Sequence, residues 1–264
     1  MLRPVPDNAE PNALAPDAPC PFGECDGSGF LLDEETNTAR RCTCLERRAG
    51  RAAGRRLGTG IPARFRGLSF DRKPICDLDQ SVLREVRGYV HDIEGSLGAG
   101  RGLWFYGDVG TGKTSLAMLV SEAAANAGRS LAIYPMARLL SEIRETYDDA
   151  SESSYMQLFR RLCAVDLLHL DDLGAEHRTE WVLEQLYSIV NERWQDQKAI
   201  IATTNLLDLD DLRDQLGART VSRLMEICGD PIPVMGGDDG RQRRVVWSLS
   251  GCYKAVRTRG LREE

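Results

Sequence analysis

Three observations predict an α/β fold with a central parallel sheet flanked by helices. Short apolar runs with strand character recur at 102–106, 130–134, 165–170 and 199–204. Helix-length stretches separate them, which implies right-handed crossovers between parallel strands. The first run passes directly into a glycine-rich turn and then a helix, the sequence form of a phosphate-binding loop.

That turn reads Gly107-Asp108-Val109-Gly110-Thr111-Gly112-Lys113-Thr114, with Ser115 following. Glycines let bare backbone N–H groups face an anion, and the helix N-terminus adds partial positive charge. Lys113 is placed to reach terminal phosphates, and Thr114 to supply a hydroxyl to Mg2+. ATP and Mg2+ are therefore the expected ligands of residues 107–115. Helices are predicted over 81–93, 113–127, 137–147, 153–162, 176–195 and 219–228.

The third strand, Leu167-Leu168-His169-Leu170, ends in Asp171-Asp172-Leu173-Gly174. A strand beside the phosphate loop delivers its terminal acid to the metal, so Asp171 is the metal-side residue, and Asp172 is the candidate general base. The fourth strand ends Thr203-Thr204-Asn205, where an amide can orient the attacking water against Asp172. Farther on, Arg219 and Arg223 share a helix face. Arg223 is a candidate to reach across a subunit interface to a neighbour's γ-phosphate, where its planar fork of donors would offset transition-state charge. Arg241, with Arg243 and Arg244 behind it, is a candidate phosphate contact within the same chain.

The N-terminal part has a different character. Cys20 and Cys25 flank four residues, a glycine-rich turn follows, and Cys42-Thr43-Cys44 comes after sixteen intervening residues. Two close pairs at this separation suit tetrahedral Zn2+, held by Cys20, Cys25, Cys42 and Cys44, in a segment too short for a core of its own. The other four cysteines lack close partners and read as structural thiols.

The net charge of −6 excludes wholesale nucleic-acid affinity, so any such binding must be local. The charge is uneven: eleven Arg or Lys residues lie between Arg40 and Lys73, against Glu46 and Asp71 alone. The first nineteen residues hold five prolines and no apolar signal region, which predicts a disordered leader rather than an export signal. With no eighteen-residue apolar run, the expectation is a cytoplasmic protein without membrane contact. The domain plan is then a leader at 1–19, a zinc-binding segment at 20–46, a basic linker at 47–56, an ATPase domain at 57–250 and a tail at 251–264.

Together these residues resemble the AAA+ ATPases of the bacterial helicase-loader type, the DnaC and DnaI proteins, and their sister group, the IstB transposition ATPases. Gly60-Ile61-Pro62-Ala63-Arg64-Phe65-Arg66 is similar to the segment that precedes the core and lines the adenine pocket in that family. The resemblance continues through Arg138-Leu139-Leu140 and Leu170-Asp171-Asp172-Leu173-Gly174 to Ser222-Arg223-Leu224. It implies an AAA+ core with a reduced C-terminal lid, ATPase activity, and sensor roles for Asn205 and Arg241. Many relatives carry glutamate where Asp172 stands, and the shorter side chain implies slow hydrolysis.

Loaders carry an extra helix after the second strand, and 137–147 with 153–162 gives one helix beyond a minimal core. The resemblance places DNA contacts at Tyr147, Thr179 and Trp181, where an aromatic ring can stack on a base without reading it. Some loaders also carry an N-terminal zinc element that helps dock the helicase or regulates DNA access, and Cys20-Pro21 with Gly27 and Gly29 is similar to it. The implied function is an ATP-dependent loader that self-assembles on single-stranded DNA and delivers a hexameric replicative DNA helicase. The alternative is a transposition ATPase forming ATP-dependent filaments on duplex DNA. A third class is a nucleotide-gated adaptor that hardly turns over ATP.

Overall fold

The computed structural model describes residues 20, 23–33, 38–45, 60–148 and 152–235. The chain divides into two compact units, Met1–Ala49 and Gly50–Glu264. Among the described residues no helix is long and apolar enough to cross a membrane.

In the first unit a two-stranded antiparallel hairpin, β1 (Phe30–Asp33) and β2 (Thr38–Arg41), stands between the cysteine pairs. The sequence led us to expect only a turn there. Its entry is fixed locally: Asp26 Oδ1 accepts from the Ser28 N–H at 2.9 Å, and Ser28 Oγ accepts from the Phe30 N–H at 3.2 Å. The Cys42 N–H closes the ladder on the Gly29 carbonyl at 2.8 Å.

The second unit is built on a five-stranded sheet of β3 (Leu103–Tyr106), β4 (Leu131–Pro135), β5 (Leu167–Leu173), β6 (Ala199–Thr204) and β7 (Ile232–Pro233). The spatial order is β4-β5-β6-β3-β7, with every neighbouring pair parallel. Buried on both faces, the strands read as nearly continuous apolar runs. Side chains nonetheless alternate: Trp104, Tyr106, Leu168, Leu170, Ile200 and Ala202 point into one core, and Leu103, Phe105, Leu167, Ala199 and Ile201 into the other.

The second core is closed by α1 (Gln80–His91), α2 (Ile93–Gly98) and α3 (Lys113–Asn126). The first is closed by α4 (Met136–Asp148), α5 (Glu152–Ala164), α6 (Glu180–Gln195), α7 (Leu209–Leu216) and α8 (Ala218–Cys228). The two helices expected between the second and third strands are thus α4 and α5.

Several elements differ from expectation: the strand expected at 165–170 runs Leu167–Leu173, and α2 and β7 were not expected. The helix predicted over 176–195 begins at Glu180, because Thr179 caps it by accepting from the Val182 N–H at 3.2 Å. The short α7 was not expected; Leu209, Leu212 and Leu216 give it an apolar stripe, and Asp208 caps it through the Asp210 N–H at 2.8 Å. The lid region and Arg241, Arg243 and Arg244 lie outside the described residues, as do the expected leader, basic linker and tail.

Candidate nucleotide site and cysteine cluster

The turn between β3 and α3 lies at the carboxyl end of the sheet, beside the ends of β5 and β6. Parallel α/β sheets bind ligands in this crevice. Gly107 has φ +153°, and a β-carbon there would collide with the Val234 carbonyl oxygen, so the close approach of strand ends requires glycine. Gly112, at φ +98°, is the N-cap of α3 and offers no side-chain cap, which leaves the first amides of the helix to an anion. The Asp108 carbonyl accepts from Thr111 Oγ1 at 2.9 Å and from Lys113 Nζ at 2.6 Å, tying the loop together. Val109, 84% exposed, forms its tip. Burial lowers the pKa of Lys113 from its ordinary value, against the opposing pull of Asp172, Asp108 and Asp171.

Asp171 is the meeting point of three elements, β5, α3 and β6. Its Oδ1 accepts from Thr114 Oγ1 of α3 at 3.0 Å and from Thr203 Oγ1 of β6 at 2.8 Å, and His169 Nε2 lies 3.7 Å away. The His169 ring is buried and held on its other side by Ser121 Oγ, 3.0 Å from Nδ1. Burial alone would push the Asp171 carboxyl up. The contacts with His169, Thr203 and Thr114 outweigh it and hold the group below the usual carboxylate range. A hydroxyl and a carboxylate in contact form the hard oxygen donor set that Mg2+ takes, so the residues fit the metal.

Asp172 is shaped by an irregularity in β5. Leu170 pairs with Ala202, but Leu173 pairs with Thr204, so Asp171 and Asp172 together oppose Thr203. This is a β-bulge, and Asp172 takes a left-handed backbone with φ +64°. Its N–H donates to Thr203 Oγ1 at 2.8 Å, and its Oδ1 accepts from Asn205 Nδ2. The structure therefore brings together Lys113, Thr114, Asp171, Asp172 and Asn205, all marked in the sequence. It adds Thr203, which sequence reasoning passed over because threonine in a buried apolar run reads as an ordinary strand former.

Arg223 lies elsewhere. Its guanidinium carbon sits 3.6 Å from the centroid of the Trp194 ring, and Nη1 meets Glu226 at 2.7 Å. None of its described contacts is with Lys113, Asp171, Asp172 or Asn205. Thr179 is engaged in capping α6. Trp181 is partly buried against the core, with the Arg144 guanidinium 4.9 Å from its ring centroid. Tyr147 falls within α4, and its side chain lies outside the described residues.

In the N-terminal unit the Sγ atoms of Cys20, Cys25, Cys42 and Cys44 all lie within 4.8 Å of one another. Cys20 and Cys42 are 3.8 Å apart, and Cys25 and Cys44 3.5 Å. Tetrahedral zinc with Zn–S bonds of about 2.3 Å needs sulfur separations of about 3.8 Å, so the cluster fits that ion. Gly23, Gly27 and Gly29 all have positive φ, the backbone form such knuckles use. Burial, then the thiols of Cys25, Cys42 and Cys20, push the Cys44 thiol well above its usual range. A metal must therefore displace protons to bind.

Comparison with known proteins places this architecture. Residues 69–225 match the family described as IstB-like ATP binding protein. The chain is 26% identical over 223 residues to the replicative helicase loader DnaC of Escherichia coli strain K12, covering 83% of this chain and 88% of that protein. Among solved structures, the DnaC helicase loader superposes with a TM-score of 0.55 at 23% identity, over 66% of this chain and 99% of that one. The replication initiator DnaA bound to AMPPCP and single-stranded DNA gives a TM-score of 0.55 at 19% identity, over 69% of this chain and 53% of that one. At these identities the two structures speak to the fold. The glycine-rich turn, the paired acids and the sheet order thus belong to an AAA+ P-loop core, and the chain is a member of the IstB-like ATP binding protein family, a family of P-loop ATPases with homology to DnaC.

Proposed function

We propose that this chain is an ATP-dependent loader that assembles on single-stranded DNA and delivers a hexameric replicative DNA helicase. The observation that carries the reading is likeness to a protein named a replicative helicase loader over 88% of that protein's length. Two features support it: the helix pair α4 and α5 between β4 and β5, and a cysteine cluster of zinc-binding geometry ahead of the ATPase core.

In this reading Lys113 and the amides opening α3 hold the ATP phosphates, and Arg241 adds a contact from the same chain. Thr114 and Asp171 hold Mg2+, which supplies positive charge to the phosphate oxygens. Asn205 orients the attacking water and Asp172 takes its proton. Arg223 leaves Trp194 and Glu226 to reach a neighbour's γ-phosphate, which makes hydrolysis depend on assembly. A head-to-tail interface of this kind propagates into an open helical array when its rotation does not close. The DNA contacts fall to Tyr147, Thr179 and Trp181, and the zinc segment docks the helicase in the cytoplasm.

The test is co-purification with the hexameric replicative helicase of the same cell, with filter binding of single-stranded and duplex DNA, each with and without ATP. Capture of the helicase and ATP-dependent preference for the single strand are expected. Absence of helicase binding at micromolar concentration sinks the reading. ATP-dependent preference for duplex favours the transposition ATPase, a reading that the matched IstB-like family itself supports.

The cysteine cluster makes a separate prediction. Purified protein is expected to carry one equivalent of zinc, released by strong chelation or thiol oxidation and detected with a metallochromic dye. Cys44→Ser is expected to abolish retention, because removing one of four thiolates leaves a buried, incomplete site. Protein purified without chelator yet free of zinc would contradict it.

A further inference from the structure

The bulge in β5 has a geometric consequence. In a regular strand adjacent side chains point to opposite faces, so Asp171 and Asp172 could not serve one site. The extra residue and the left-handed backbone of Asp172 turn the second acid toward the first's side of the strand.

Such a bulge needs something to replace the lost ladder pairing. Thr203, 1% exposed, opposes both acids. Its hydroxyl spends its one proton on Asp171 Oδ1 at 2.8 Å and accepts the Asp172 N–H at 2.8 Å. Valine would have nearly the same shape and satisfy neither. No other described residue bonds both acids.

We infer that Thr203 is a positioning residue that joins the metal-side carboxylate to the water-side carboxylate. It fixes the Asp171 carboxylate from the side of β6 while Thr114 bonds the same oxygen from α3, and no described residue bonds Oδ2. Through the Asp172 amide it holds the backbone turn from which that side chain reaches Asn205. A shift of Asp171 as the metal–phosphate unit changes is thereby passed to Asp172 and Asn205. The inference rests on the reading of this crevice as the ATP site.

The test compares Thr203→Val and Thr203→Ser with the full-length parent by two measurements. One is the Mg2+ concentration that half-saturates tightening of a fluorescent ATP analogue. The other is kcat and KM for ATP hydrolysis. Thr203→Val is expected to need about tenfold more Mg2+ and to lose about 10- to 100-fold in kcat, with nucleotide binding in the absence of Mg2+ unchanged. Thr203→Ser, which keeps the hydroxyl, is expected to stay near the parent. Parental Mg2+ midpoint and kcat in Thr203→Val would overturn the inference, as would a serine variant that falls as far as valine. If the parent hydrolyses no ATP, the hydrolytic reading fails and the Mg2+ midpoint alone decides Thr203. If the valine variant does not fold, Thr203→Ser against Thr203→Ala isolates the hydroxyl.

Discussion

Lys113→Ala is expected to weaken ATP binding by roughly two to three orders of magnitude and to bring hydrolysis below detection. Lys113 is the cation at the centre of a crevice that also holds Asp108, Asp171 and Asp172. Each charge-assisted hydrogen bond from its ammonium to phosphate is worth about 1.5–3 kcal/mol, and a P-loop lysine serves two phosphates. Its removal also leaves three carboxylates facing a polyanion uncompensated. The fold is expected to survive, since the described structural bond of the ammonium is to the Asp108 carbonyl within the same loop, and alanine is a better helix former at the start of α3. Calorimetric titration with ATP and a urea melt separate the two effects. Parental affinity in the alanine variant would show that the glycine-rich turn is not the phosphate site.

What could be read from the chain follows from how local each signal is. The phosphate loop was legible because its chemistry sits in eight consecutive residues whose glycines carry their own conformational meaning. The two acids ending β5 were legible as residue types at a strand end. The bulge that makes both useful was not, because it is a property of the pairing between β5 and β6, and a one-residue register shift leaves no mark in either strand alone. Thr203 was hidden for the same reason.

The hairpin between the cysteine pairs escaped because Thr38 to Arg41 is exposed throughout and, Ala39 apart, polar, which removes the alternation that normally announces a strand. Asp171, Asp172 and Asn205 are the opposite case. They are adjacent to strong strand signals, so placing the strands places them. Arg193 is a different case: it continues the buried stripe of Val182, Leu186, Ile189 and Val190 at helical spacing, yet it carries a charge, and it is fully buried.

Arg193→Met is expected to destabilise the protein by about 3–5 kcal/mol, because it strips the donor from several buried carbonyls whose costs are partly recovered by relaxation. The guanidinium has no carboxylate within bonding distance among the described residues. It donates instead to the backbone carbonyls of Leu162 at 2.6 Å, Cys163 at 3.4 Å, Val165 at 3.0 Å, Asp166 at 3.3 Å and Ala199 at 2.6 Å. These are the last carbonyls of α5, the turn into β5 and the first of β6, so one side chain ties the backbone of three elements together. Burial pushes its pKa down to about 10, still above neutrality, so the charge persists. Methionine fills much of the volume but leaves the carbonyls bare at about 1–3 kcal/mol each before relaxation. Lysine keeps the charge but lacks the planar fork, and should recover only part of the loss. A urea melt at constant slope measures the change, and a thermal midpoint lowered by roughly 10 °C is the corresponding shift. The next residue, Trp194, carries the ring on which Arg223 rests. A methionine variant that melts with the parent would mean that the five carbonyls find other partners and that the buried arginine is not what joins α5, β5 and β6.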